Sequence, residues 1–128
     1  MQAGRTQAST RDGGSLFAVL GAGSWGTALA MQLMRAGSRV VLWDWDREHI
    51  EAIGRARCNE RFLPGHPLPD GLEIEPELET AVRQADEILI VVPSHAFAGV
   101  LEHPEQFRGR KTVAIVSGGN IDLDNLPW

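Results

Sequence analysis

The stretch that decides the fold runs from Leu16 to Ala30 and reads LFAVLGAGSWGTALA. An apolar run ends in three glycines at fixed offsets, and an Ala/Leu-rich helical pattern follows at once. This order predicts a strand, a phosphate-binding turn and the start of a helix. Gly21 permits the tight turn, Gly23 lets the backbone approach a pyrophosphate, and Gly26 lets the helix pack closely against the strand. The free N–H groups and the positive dipole end of the new helix then face the phosphate anion.

Three spaced glycines alone are weak evidence, because 14 of the 128 residues are glycine. The alternative is an ordinary glycine turn. Here a strand precedes the pattern, a helix follows it, and an acid ends the next predicted strand, Arg39 to Trp43. This context favours a dinucleotide site.

Asp44 is the acid at the end of that second strand, 18 residues after Gly26. A carboxylate there accepts hydrogen bonds from the adenosine ribose hydroxyls and repels a 2′-phosphate. A hydrogen bond to a charged group contributes roughly 1.5–3 kcal/mol, so NAD should be preferred over NADP by about 10- to 100-fold. In the alternative interpretation Asp44 only begins the turn and Asp46 caps the following helix.

Composition describes a soluble globular chain and argues against nucleic acid as its main partner. Hydrophobic residues make up 43% and charged residues 23% of the chain, as in soluble globular proteins. The net charge of −5, with scattered basic residues, argues against nucleic acid. No apolar stretch reaches the roughly 20 residues of a membrane helix. Residues 1–14 lack the apolar core of a secretory signal and are predicted to be a disordered leader before one domain, residues 15–128. Cys58 is the single cysteine, which fits a reducing cytoplasm.

Apolar runs alternate with helical patterns along the chain, which predicts an α/β fold of the Rossmann type: a doubly wound parallel sheet of about five strands in the order 3-2-1-4-5. The first helix is predicted from Ser24 to Ala36, with Ala28, Leu29, Leu33 and Ala36 on its buried face and Gly37 as its C-terminal stop. The four histidines lack the spacing of metal ligands and are predicted to be exposed or in loops. We expect no metal site and no catalytic residue.

Several segments together resemble NAD-dependent glycerol-3-phosphate dehydrogenase. The glycine turn, Gly21 to Ala30, is similar to the opening fingerprint of that family, including the tryptophan inside it. Later segments agree in order and spacing: Leu42-Trp43, Asn59 with Arg61 to Gly65, Leu68-Pro69, Ala85-Asp86 and Val91 to Ser94. The resemblance covers roughly residues 15–116.

The resemblance implies reversible hydride transfer between NAD(H) and the pair dihydroxyacetone phosphate and sn-glycerol 3-phosphate. It implies that the pyrophosphate is held by the glycine turn, whose residues are Gly21, Gly23, Ser24, Trp25 and Gly26. Pro93 and Ser94 would lie near the nicotinamide half, and Phe62 would flank the site. Pro93-Ser94 also has the plainer interpretation of a strand stop followed by a helix cap, and both can hold together.

The sequence departs from the family after the fifth predicted strand. Members have an active-site lysine followed by glycine there, whereas this chain has Ser117-Gly118-Gly119, and Lys111 is its single lysine. The large helical domain that supplies a second lysine, an acid and the substrate-phosphate ligands is not expected within 128 residues. Asp44-Trp45 also replaces the usual pair of a small residue and an arginine. We therefore expect a chain truncated relative to the full family and catalytically silent alone, unless a partner chain supplies the missing parts.

A short tail segment has a resemblance of its own. Residues 116–123, VSGGNIDL, are similar to a segment of pyridoxal-phosphate-dependent threonine dehydratases, which suggests a composite chain. The alternative to a cofactor-binding domain is thus a truncated or recombined half-domain without ligand-binding or enzymatic role. In either case the fifth strand is a bare edge, which predicts a homo-oligomer formed by edge pairing or exchange of terminal segments.

Overall fold

The computed structural model describes residues 14–92, 102 and 104–116. Most of the predicted leader, the segment after the fourth strand that contains Pro93 and Ser94, and the tail from Ser117 lie outside the described residues. Within the described ranges the strands are β1 (Leu16–Leu20), β2 (Arg39–Trp43), β3 (Glu73–Ile74), β4 (Glu87–Val92) and β5 (Lys111–Val116). The α-helices are α1 (Ser24–Arg35), α2 (Arg47–Ala56) and α3 (Leu78–Gln84), and a 3₁₀ turn spans Pro104–Gln106.

The five strands form one parallel sheet in the order β3-β2-β1-β4-β5. The predicted fold class and strand order are confirmed. In register, Leu20 of β1 lies beside Trp43 of β2 and Ile90 of β4. The carboxyl ends of the three central strands therefore meet at one edge, where ligands bind in open α/β sheets.

Side chains of successive strand residues enter separate apolar layers on the two faces of the sheet. Val19, Val40 and Leu42 pack with α1 and α2, whereas Ala18, Leu20 and Val41 pack with α3. Because both faces of the central strands are covered, these strands are apolar without alternation, as is usual for parallel sheets. The packed sheet therefore fixes the positions of the loops at its carboxyl edge.

The predicted buried face of α1 is wrong in its phase. Ala36 is exposed, and Ala28, Leu29 and Leu33 are only half-buried, although Leu29 and Leu33 do pack against the core. The buried residues are Gly26, Thr27, Ala30 and Met31. The phase follows from the close approach of Gly26 to the backbone of the preceding turn, since a helix fixed at Gly26 also buries the residue four positions later. The predicted stop at Gly37 is confirmed by its positive φ of 97° and its N–H donation to the Met34 carbonyl at 3.0 Å.

Strand β5 is the outer strand of the described sheet. It pairs with β4 from Lys111 to Val116. Residues 111–115 are all exposed, including Val113 at 55% and Ile115 at 38%. These two apolar side chains are two residues apart and therefore share one face of the strand.

Candidate dinucleotide site

The glycine turn between β1 and α1 is shaped by two close backbone approaches. Gly21 has a φ of 119°, and a Cβ on it would lie 1.9 Å from the Val91 carbonyl oxygen in β4. A Cβ on Gly26 would lie 1.7 Å from the Gly21 carbonyl oxygen. The Gly21 N–H also donates to the Trp43 carbonyl at 2.8 Å, which ties the turn to the end of β2. Neither position accepts a side chain without a backbone shift.

Gly23 differs from these two glycines because a Cβ on it would meet nothing within 4 Å. It is the N-cap of α1, with no side-chain cap and no acidic residue in the first turn. Among the described residues, no acceptor takes the N–H groups of Ser24, Trp25 or Gly26. Backbone donors with an open approach at a helix N-terminus suit a phosphate group. The residues present therefore fit a dinucleotide pyrophosphate.

Asp44 fixes this turn from the end of β2. The carboxylate is buried, with 8% exposure. Its Oδ2 accepts from the Ala22 N–H at 2.7 Å, and its Oδ1 accepts from the Asp46 N–H at 2.9 Å. Asp46 is the N-cap of α2 and accepts from the His49 N–H at 3.2 Å, so that part of the alternative interpretation is confirmed. Ribose binding by Asp44 stays a prediction, and each of its oxygens retains a free lone-pair direction for it.

Asn59 connects the glycine turn, α1 and the proline-rich crossing segment that follows α2, residues 59–69. Its side chain is fully buried and donates from Nδ2 to the Ala22 carbonyl at 2.9 Å and to Thr27 Oγ1 at 2.8 Å. Its Oδ1 accepts from the Phe62 N–H at 3.1 Å. One amide side chain thus holds three separate segments in a fixed relation.

His49 contributes a second contact to the same carbonyl. Its Nε2 lies 2.9 Å from the Ala22 oxygen, and its ring meets the Phe62 ring edge-on at 5.2 Å. The expectation of an exposed or loop histidine is wrong here, because His49 lies on the buried face of α2 and is 9% exposed. A polar residue on an apolar helix face was the available signal, since a buried polar group requires a partner.

The crossing segment contributes Arg61 and Phe62 to the lining of the cleft. The Arg61 guanidinium lies 4.9 Å from the centre of the Phe62 ring, and its Nη1 is 3.7 Å from Asp46 Oδ2. Phe62 is 42% exposed and Trp45 is 68% exposed. Large, partly exposed aromatic side chains that line a cleft are suited to stacking on a planar ligand.

All predicted site residues that the structure describes lie around one cleft of about 390 Å³. This volume is within the range of small-molecule and cofactor sites. The cleft is lined by the predicted residues Gly21, Gly23, Ser24, Trp25, Gly26, Asp44 and Phe62, and also by Trp45, Asp46, His49, Arg61, Val91 and Val92. Pro93 and Ser94 follow Val92 directly and lie outside the described residues.

Two other classes of feature are absent from the described part of the chain. No group of three or more His, Cys, Asp or Glu side chains there has a geometry that could hold a metal ion. No helix in the same residues combines the length and apolarity needed to cross a bilayer.

A glycine turn, an acid ending β2 and a cleft at the carboxyl edge of a parallel sheet define a dinucleotide-binding domain of the Rossmann class. Residues 17–120 match the family model described as NAD-dependent glycerol-3-phosphate dehydrogenase N-terminus. The chain belongs to this family. The resemblance inferred from the sequence is confirmed, and so is NAD as the cofactor for which the family is named.

Individual relatives agree with this assignment. A glycerol-3-phosphate dehydrogenase [NAD(P)+] of Thioalkalivibrio sulfidiphilus is 44% identical over 111 residues, which are 87% of this chain and 33% of the relative. An Escherichia coli protein of the same description is 55% identical over 83 residues, 65% of this chain and 24% of the relative. The crystal structure of glycerol-3-phosphate dehydrogenase from Coxiella burnetii superposes with a TM-score of 0.75 at 36% identity, over 81% of this chain and 33% of that one. The chain therefore spans a third or less of the length of these relatives.

Proposed function

We propose that these residues bind NAD(H) as the cofactor half of a glycerol-3-phosphate dehydrogenase. The observation that carries the proposal is the open approach at Gly23 beside the N–H groups of Ser24, Trp25 and Gly26, for which the described residues provide no acceptor. When bound, the nicotinamide group exchanges a hydride with the substrate. The chain's own residues position the cofactor: the turn binds the pyrophosphate, and Asp44 binds the adenosine ribose.

The remaining site residues have different support. Phe62 flanks the cleft, and its ring is held by contacts with His49 and Arg61. The proposed roles of Pro93 and Ser94 near the nicotinamide half rest on the sequence resemblance alone. The relatives of T. sulfidiphilus and E. coli are described as using NAD(P)+, so both cofactors need to be compared. For this chain we propose a preference for NAD(H), because the Asp44 carboxylate disfavours a 2′-phosphate.

Titration with NADH, followed by tryptophan emission and by calorimetry, tests the binding proposal. Trp25 and Trp45 line the cleft and are 63% and 68% exposed, so a bound dinucleotide should change their emission. Saturable binding with one site per chain is the expected result. If calorimetry detects no saturable heat from a folded sample, the binding proposal is wrong.

We predict that the 128-residue chain does not reduce dihydroxyacetone phosphate with NADH. The reason is that Ser117-Gly118-Gly119 stands where the family has its lysine-glycine pair. Loss of NADH absorbance at 340 nm (the wavelength at which reduced nicotinamide absorbs) is the measurement. A rate that persists at constant specific activity through successive purification steps would show that a different group replaces the lysine.

We also propose that isolated chains associate through β5. The strand lies at the edge of the described sheet and exposes Val113 and Ile115 on one face, and an unprotected apolar edge pairs readily with a second copy. Sedimentation should show a dimer that Val113→Lys converts to monomer. Thr80→Lys, which adds the same charge on the exposed surface of α3, should leave the dimer intact. A monomeric wild-type chain at high concentration would exclude this mode of association.

The alternative function is that of a recombined half-domain whose only property is association. It predicts oligomers together with a negative NADH titration, so the two measurements separate it from the proposed function. The family match reaches residue 120 and overlaps the first part of the 116–123 segment that resembles threonine dehydratases. A composite origin, the leader and domain limits, and a cytoplasmic location supported by the single Cys58 stay predictions.

A further inference from the structure

We propose that Arg61 is a specificity-determining residue of the cleft: it contacts a 2′-phosphate on the adenosine ribose and so allows NADP(H) to bind beside two carboxylates. The inference rests on the proposed binding function. Arg61 belongs to the crossing segment, and its Nη1 lies 3.7 Å from Asp46 Oδ2 in the turn that follows β2.

Two carboxylates line the part of the cleft where we propose that the adenosine ribose binds. Asp44 and Asp46 both line the cleft, and the Asp46 N–H donates to the Asp44 carboxylate. A phosphate monoester carries about −1.5 to −2 charges at neutral pH. Two carboxylates alone would therefore repel NADP(H) strongly. Among the described residues that line this cleft, Arg61 is the single Lys or Arg.

The Arg61 guanidinium contacts Phe62 and Asp46, but these contacts do not occupy its N–H donors. Its guanidinium lies against the Phe62 ring at 4.9 Å and near Asp46 Oδ2 at 3.7 Å. The Arg61 side chain is 63% exposed and that of Asp46 is 33% exposed, and ion pairs of this kind are weak. Within the described part of the chain, no acceptor lies within hydrogen-bond distance of the guanidinium. Its planar set of N–H donors therefore stays available to a phosphate, which arginine binds through two parallel hydrogen bonds.

The position of Arg61 relative to Asp44 fits the 2′-oxygen. Asp44, which we propose binds the ribose hydroxyls, is joined to Asp46 by a backbone hydrogen bond of 2.9 Å, and Arg61 is the next neighbour of Asp46. A phosphate on a 2′-oxygen beside Asp44 would therefore lie within reach of the long Arg61 side chain. Asp44 then sets the preference for NAD(H), and Arg61 limits how large that preference becomes.

The experiment measures NADH and NADPH dissociation constants by calorimetry for the full chain and for Arg61→Ala, Arg61→Lys and Arg55→Ala. Arg61→Ala should weaken NADPH binding about 10-fold, the loss expected for one charge-assisted contact, and change NADH binding less than 3-fold. Arg61→Lys should recover part of the NADPH affinity because it keeps the charge. Arg55→Ala removes the same charge from an exposed position of α2 that does not line the cleft, and it should leave the ratio of the two constants unchanged.

The outcomes separate this inference from the proposed function. If Arg61→Ala weakens both cofactors equally, or neither, Arg61 has no role in 2′-phosphate recognition, while NADH binding by the wild-type chain still supports the proposed function. If Arg55→Ala shifts the ratio as much as Arg61→Ala does, the effect is long-range charge and the inference is wrong. If the wild-type chain binds neither NADH nor NADPH, both proposals fail together.

Discussion

Gly23→Val should abolish NADH binding, with a loss of at least about 100-fold in affinity, and leave the domain folded. The two branched methyl groups would occupy the open approach beside the N–H donors of the first turn of α1, and a pyrophosphate displaced from those donors loses several charge-assisted hydrogen bonds. Gly23 has a φ of −81° and ψ of −166°, which a valine adopts without strain. The free energy of unfolding should therefore change by no more than about 1 kcal/mol, the usual difference between residues at an N-cap.

Gly26→Ala is the matched variant, because it adds a smaller group three positions away. It should lower the stability of the fold, whereas Gly23→Val should abolish NADH binding and leave the fold intact. Its Cβ would stand 1.7 Å from the Gly21 carbonyl oxygen, so α1 has to move away from the turn. Overpacking against backbone should lower the free energy of unfolding by about 3 kcal/mol or more. Urea denaturation of both variants, together with NADH titration of the folded fraction, gives the comparison. Unimpaired NADH binding by folded Gly23→Val would show that the pyrophosphate does not lie at this turn.

Asn59→Leu should lower the free energy of unfolding by roughly 2–4 kcal/mol. The substitution keeps an approximate side-chain volume but leaves the Phe62 N–H and the Thr27 hydroxyl without their partner, and each unsatisfied buried group costs about 1–3 kcal/mol. NADH affinity of the folded fraction should fall about 10-fold or more, because the Ala22 carbonyl and the crossing segment lose their common anchor. Urea denaturation and calorimetry measure the two effects.

Thr27→Val provides the control for this prediction. It removes one of the three partners of Asn59 and leaves the hydrogen bonds to Ala22 and Phe62 in place. A loss of about 1 kcal/mol with little change in NADH affinity is expected. A buried hydrogen bond contributes roughly 1 kcal/mol to the free energy of unfolding. If the free energies of unfolding of Asn59→Leu and the wild-type chain differ by less than about 0.5 kcal/mol, the anchoring role of Asn59 is wrong.

Much of the fold could be predicted because its signals are local. The bounds of β1 and β2 agree with the sequence pattern residue for residue, since each strand is an apolar run closed by turn residues. The stop at Gly37 is likewise local, because it depends on a backbone angle that glycine adopts freely. The phase of α1 could not be predicted from hydrophobicity, because it depends on how closely Gly26 approaches the Gly21 carbonyl oxygen in the turn before the helix.

The candidate site also contains some residues that the sequence predicts and others that it does not. The glycine turn and Asp44 carry their signal in short, fixed spacings, and the structure brings them to one cleft. The anchoring contacts of Asn59 and His49 have no signal in sequence spacing, although a polar His49 on an apolar helix face indicated that it needs a buried partner. Both side chains meet the Ala22 carbonyl from 37 and 27 residues away in sequence, and the pairing exists only after α2 and the crossing have packed beside the turn.

By itself the sequence determined the class of fold, the strand order and the place of the turn that suits a phosphate. These properties depend on backbone conformation and on the period of apolar residues, which neighbouring residues fix. Tertiary structure alone decided which polar side chains hold that turn and placed Arg61 beside Asp46 at the cleft. Those choices depend on distances between segments far apart in the chain, and burial then requires each enclosed polar group to find a partner.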